Sequence, residues 1–189
     1  MGAMPATQHM TAEEYLDLPE RLQRPNTELV EGEIVVNEPT GLHQAVKLEL
    51  IFALGGWSRH ASGLGRTWLP LDVLIDERNV FAPDILWYAE GAGPDIHGSP
   101  PSPLPYLAVE VRSPWTWRYD IGTKKAAYER TGLRELWLVD TAASEVLVFR
   151  RSKPGAPGFD VALEFERDHT LTSPQLDGFE LPLAELFPE

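Results

Sequence analysis

The stretch from Leu104 to Asp140, LPYLAVEVRSPWTWRYDIGTKKAAYERTGLRELWLVD, constrains the fold more than any other part of the chain, because it reads as strand, turn, helix and strand. A unit of this length favours a right-handed crossover between two parallel strands. Its first run, Leu104 to Val111, is apolar except for Glu110. A lone carboxylate in such a run has to be paired, metal-bound or protonated. Period-two alternation places Tyr106, Ala108, Glu110 and Arg112 on one face, and Leu107, Val109 and Val111 on the other. Pro114 stops this strand. Asp120 is expected to cap a helix that runs to about Thr131, with Gly132 in the terminating position. On that helix Ile121, Lys124 and Tyr128 share the apolar stripe facing the sheet, while Lys125 lies about 100° around. The run Leu136 to Val139 supplies the second strand.

With 189 residues, the expectation is one domain, spanning 11–189 behind a flexible tail at 1–10. The chain has no cysteine, which excludes disulfides and thiolate chemistry and leaves oxygen and imidazole as ligands for any metal. That composition suits a reducing, cytoplasmic location. No apolar run reaches membrane-spanning length and no signal peptide is recognisable, so no membrane partner is expected. A net charge of −13 argues against broad attraction to polyanions. Between Arg112 and Arg134 the balance reverses: six basic residues against Asp120 and Glu129 leave +4, a cluster that a solvated helix face also explains.

Upstream, Thr11 and Glu14 have the spacing of a capping box and open a short helix. Glu28 to Val36 (ELVEGEIVV) reads as a strand or hairpin arm, in which alternation sets Glu31 and Glu33 against Glu28 unless Gly32 marks a bulge. Leu42, Val46, Leu50 and Leu54 recur every four residues and predict a long amphipathic helix over 41–57, with His43 at its start. Thr67 to Ile75 and Phe81 to Tyr88 are predicted strands. The second contains Asp84 just after Pro83, another isolated carboxylate in an apolar run. Residues 89–105, rich in Gly, Pro and Ser, read as a surface loop. Glu145 to Arg150 and Phe159 to Phe165 suggest two more strands, and Leu181 to Phe187 a short helix or apolar plug.

Two buried acids on adjacent strands repel one another unless a cation lies between them, and Mg²⁺ accepts one or two carboxylates, a carbonyl and several waters. The pattern Pro83-Asp84, Glu110 in a strand and a nearby lysine resembles the PD-(D/E)xK superfamily of restriction-endonuclease-like nucleases. More narrowly, the chain resembles the Uma-type family within it, through EYLDLP (Glu14 to Pro19), ELVEGE (Glu28 to Glu33), His43, APDI, VEVRSP, YDIGTKKAAY (Tyr119 to Tyr128) and GLRELWLVD (Gly132 to Asp140).

The resemblance implies an α/β fold with a central mixed β-sheet flanked by helices. It implies a metal-dependent endonuclease acting on DNA, with Asp84 and Glu110 holding Mg²⁺ or Mn²⁺. The superfamily's lysine usually follows the second acid by two residues, where this chain has Arg112, a phosphate binder but a poor proton-transfer group. Lys124, already turned inward by the helical period, is the expected replacement. His43 and one of Glu28 or Glu31, with Glu31 favoured, match further family positions near the cleft. Related proteins imply a homodimer. The alternatives are a non-catalytic nucleic-acid or protein-binding member, with Asp84 and Glu110 neutralised by Arg112 and Lys124, and a metal-free carboxylate-pair hydrolase acting on sugars.

Overall fold

The computed structural model describes residues 9–19 and 26–187, so most of the expected N-terminal tail and of the loop over 20–26 lies outside the described residues. In chain order the elements are α1 (Ala12–Leu16), the hairpin β1 (Thr27–Val30) and β2 (Glu33–Val36), and the long helix α2 (Gly41–His60). They continue with β3 (Arg66–Trp68), β4 (Val73–Asp76), β5 (Asn79–Phe81), β6 (Ile85–Tyr88) and β7 (Leu107–Val111). A helical segment follows in three parts: α3 (Trp117–Tyr119), a π-helical turn (Asp120–Lys124) and α4 (Lys125–Thr131). The remainder comprises β8 (Glu135–Asp140), β9 (Glu145–Arg150), β10 (Val161–Glu166), β11 (Thr170–Leu171), β12 (Leu181–Pro182) and α5 (Leu183–Leu186).

The main sheet has six strands in the order β10-β9-β8-β7-β6-β3. Only the β7–β8 pair is parallel, from Leu107 opposite Glu135 to Val111 opposite Val139, as the crossover requires. Gly132 ends α4 at φ +96°, a left-handed position that a side chain disfavours. A smaller antiparallel sheet, β2-β1-β5-β4, packs beside it. This is the mixed sheet flanked by helices that the sequence predicts. Among the described residues no helix is long and apolar enough to cross a membrane.

Alternation along the central strands builds a core on each face of the main sheet. Val109, Val111, Trp137 and Val139 meet Val46, Leu50 and Leu54 of α2, and the C-terminal residues Leu183, Leu186 and Phe187 close this side as the expected plug. On the opposite face Leu86, Ala108, Leu136 and Leu138 pack with Ala127 and Tyr128 of α4 and with Phe81 of the small sheet. Each fully buried side chain of this kind contributes roughly 1.5–3 kcal/mol. The two layers therefore hold β7 rigidly between them.

Three local expectations change. The expected strand over 67–75 divides around Pro70, with β3 joining the large sheet and β4 the small one. The run over 81–88 likewise divides at Ala82-Pro83-Asp84, since Pro83 has no N–H to give a ladder. Lastly, Asp120 is not a cap. The helical segment already begins at Trp117, and the Lys125 N–H reaches back five residues to the Asp120 carbonyl. This widened turn keeps Asp120 and Lys124 buried but rotates Ile121 outward, to 46 % exposure.

Candidate active site

The chain break at Pro83 sets Asp84 at the mouth of β6, and the pairing of Ile85 with Val109 brings it beside Glu110 on β7. Asp84 Oδ2 accepts hydrogen bonds from the Val111 N–H at 2.9 Å and His43 Nε2 at 3.0 Å, and Oδ1 accepts from Lys47 Nζ at 2.9 Å. His43 and Lys47 stand one turn apart on α2, whose first turn is fixed by Thr40 Oγ1 accepting from the His43 N–H at 3.2 Å. Burial pushes the Asp84 carboxyl up. The His43 hydrogen bond and the Lys47 ammonium outweigh it, leaving the group below its ordinary value.

Glu110 belongs to a different arrangement, centred on Lys124, which is 2 % exposed. The Lys124 ammonium lies 2.9 Å from both carboxylate oxygens of Glu28, 2.8 Å from Glu110 Oε1 and 3.2 Å from Asp120 Oδ1. Tyr128 donates its hydroxyl to Glu110 Oε1 at 2.8 Å, and the Ala82 N–H donates to Glu28 Oε1 at 2.7 Å. The π-helical turn makes this possible, because it aims Asp120 and Lys124 into the same space. Three carboxylates around one ammonium leave a formal charge of −2. Burial, only partly offset by Lys124 and reinforced by the neighbouring acids, raises Glu110 well above the ordinary carboxylate value and Asp120 to about 6. Lys124 is held above its usual value because the surrounding carboxylates outweigh its own desolvation.

These groups line a cleft of about 250 Å³ that Glu28, Lys47, Asp84, Glu110, Asp120 and Lys124 share with Leu71, Asp72 and Pro100. Among the described residues no three His, Asp or Glu side chains stand as a ready ligand group for a metal. The donor set nevertheless fits a hard divalent cation. Its acids are oxygen donors of the kind a hard cation takes, and Mg²⁺ characteristically takes only one or two carboxylates and keeps its waters.

The cleft thus gathers Asp84, Glu110 and Lys124, with His43 behind Asp84. Two expected accessory residues fall elsewhere. Arg112 lies just past the end of β7, where its guanidinium is drawn sideways to both oxygens of Asp140 at 2.8 Å and sits 5.6 Å from the Trp117 ring centroid. Glu31 is exposed in the β1–β2 turn, at φ +53° beside Gly32 at φ +82°. This is a two-residue hairpin turn of the kind that needs positive φ at both positions, not a bulge. The preference for Glu31 is therefore corrected: Glu28, on β1, faces the cleft.

Two further side chains of the cleft, Lys47 and Asp120, and Tyr128, whose hydroxyl holds Glu110, have no site role in the sequence reading. Lys47 follows His43 by four residues and Asp120 precedes Lys124 by four, so helical spacing carried a signal for both. Helical spacing puts Tyr128 on the inward stripe, but nothing in the sequence pairs its hydroxyl with Glu110.

The fold is shared with a solved structure, described as a "putative nuclease belonging to DUF820" from Anabaena variabilis, at a TM-score of 0.75 and 23% sequence identity. The match covers 94% of this chain and 97% of that one. No curated protein matches the chain. The sequence model of the Uma2 family, described as "Putative restriction endonuclease", matches residues 12–184, and the chain belongs to that family.

Proposed function

We propose that the chain is a metal-dependent endonuclease that hydrolyses DNA phosphodiester bonds in the cleft between β6, β7 and the π-helical turn. The supporting observation is the meeting of Asp84 and Glu110 at one cleft whose acids exceed their ammonium partners. In this reading Asp84 and Glu110 hold Mg²⁺ or Mn²⁺. The bound ion supplies Lewis-acid neutralisation of phosphate charge and acidifies water. His43 and the Val111 N–H fix the orientation of Asp84. Tyr128 fixes Glu110, and Lys124 holds positive charge at the wall of the cleft, where a phosphate gains charge in the transition state.

The test is nicking of supercoiled plasmid DNA with Mg²⁺ or Mn²⁺. Asp84→Asn and Glu110→Gln are each expected to reduce the rate by a factor of about 100 or more while the thermal transition is retained. One observation favours a second reading, binding without cleavage: both Asp84 oxygens already have donors, and Lys124 is enclosed by three carboxylates. Native protein that retains an oligonucleotide yet leaves the plasmid intact under both metals would select it.

A further inference from the structure

A second concavity, of about 550 Å³, lies among the end of α4, the residues leading into β8 and the Ser152–Pro157 loop. Arg130, Arg134, Arg151 and Lys153 contribute to its wall, and no acidic side chain does. That is unusual company in a chain of net charge −13. Two of the guanidinium groups are held in place without a carboxylate partner among the described residues. Arg134 stacks 3.6 Å from the centroid of Tyr106. Arg151 donates from Nε to the Leu133 carbonyl at 3.0 Å, and its other nitrogens donate to the carbonyls of Ala156 and Glu129. Carbonyls orient a guanidinium but do not neutralise it.

The nearby acids are engaged by other donors. Glu129 Oε1 accepts from the Phe159 N–H at 2.7 Å, and Asp160 accepts from the Ser152 N–H at 2.7 Å and hydroxyl at 2.6 Å. Arg130 is only loosely tied, 3.8 Å from Asp76. Lys153 lies within the electrostatic reach of Asp160, so the guanidinium groups of Arg134 and Arg151 are the ones that no carboxylate pairs among the described residues. A guanidinium fork fits the oxygens of phosphate, and a phosphate monoester brings about −1.5 to −2 charges where a simple carboxylate brings one. Pro154 and Pro157 add apolar wall, and the volume is in the range of small-molecule sites, more than a bare anion fills.

We infer that this concavity is a phosphate site, gripped by Arg134 and Arg151 with Lys153 at the rim, which takes a nucleotide phosphate either free or within a nucleic-acid strand. It is separate from the cleft. Arg134 precedes the start of β8, whereas Glu110 is near the far end of the parallel β7, so the two are separated along the strands by roughly four residues, or about 13 Å.

The test is calorimetry on the full chain at low ionic strength, without divalent metal, titrating inorganic phosphate, a nucleoside 5′-monophosphate and a short single-stranded oligonucleotide. Binding of a phosphate-bearing probe is expected to weaken tenfold or more in Arg134→Gln/Lys153→Gln. It should also weaken in Lys153→Glu, whose exposed loop position does not endanger the fold, and stay within twofold of native in Glu110→Gln. Competition between the monophosphate and the oligonucleotide identifies a site open to free nucleotides, while binding of the oligonucleotide alone identifies a strand contact. Either supports the phosphate site. It is overturned if the native protein binds none of the probes, if acetate displaces them at equal concentration, or if Glu110→Gln abolishes binding and the Lys153 variants do not.

Discussion

Glu110 and Glu135 lie on neighbouring parallel strands and both are buried, yet the protein treats them in opposite ways. Glu135 faces the α2 side of the sheet at 0 % exposure, and its carboxylate accepts from Trp137 Nε1 at 2.7 Å, Ser173 Oγ at 2.7 Å and Gln175 Nε2 at 3.0 Å. Three neutral donors satisfy it, with no other charge required. Glu110 faces the other side and meets Lys124, Glu28 and Asp120 in an arrangement with more acid than base. A single buried charge fully hydrogen-bonded is a finished structural element. A buried cluster with surplus charge remains responsive to protons and cations, and such imbalance is characteristic of functional sites.

The largest test of this contrast removes the ammonium. Lys124→Met leaves Glu28, Glu110 and Asp120 facing one another in a site without a cation. The expected loss at pH 8 is on the order of 3–5 kcal/mol by urea unfolding. The deficit should shrink by pH 5, where protonation relieves the repulsion. A loss equally large at both pH values would mean that Lys124 matters for packing and not for charge.

The next effect is a pH slope. Asp120 has a folded pKa of about 6 against an ordinary 3.8, so between roughly pH 4 and 6 the native protein keeps a proton that the unfolded chain has released. Stability from this group is therefore complete below pH 4 and falls as pH rises through 6. The difference of about two pH units corresponds to about 3 kcal/mol. Asp120→Asn should remove that part of the slope and raise stability at pH 8, by at most that amount, while changing little at pH 4. Identical profiles for variant and native protein would remove Asp120 from the proton-sensitive group.

What the sequence made legible was governed by local periodicity. The β7–α4–β8 crossover, the long α2 and the inward turn of Lys124 follow from local spacing, while Asp84 and Glu110 stand out as lone acids in apolar runs and are joined to Lys124 by the family resemblance; the structure brings the three to one cleft. What escaped depended on tertiary context. No local rule announces the π-helical turn, which moves Asp120 from cap to cleft and Ile121 from core to surface. Glu28 was legible in retrospect, since Glu31-Gly32 suits a two-residue hairpin turn and a strand ending at Val30. The criterion that singled out Glu110, an isolated acid in an apolar strand, says less about Glu135, which opens β8 beside Arg134 in a strand that also carries Asp140. The partners on each face of the sheet decide what each carboxylate does.

The smallest effect falls on Glu135. Glu135→Gln keeps the size and one carbonyl acceptor, but its amide places donors where Ser173 Oγ or Gln175 Nε2 now donates. The Ser173 hydroxyl can turn and accept instead. The expected cost is about 1 kcal/mol, the scale of one net hydrogen bond. Phosphate binding and plasmid nicking should both be unchanged. A loss of about 3–5 kcal/mol, the scale on which a buried ion pair breaks, would show that Glu135 is held by charge as Glu110 is, and the distinction between the two faces of the sheet would then rest on degree and not on kind.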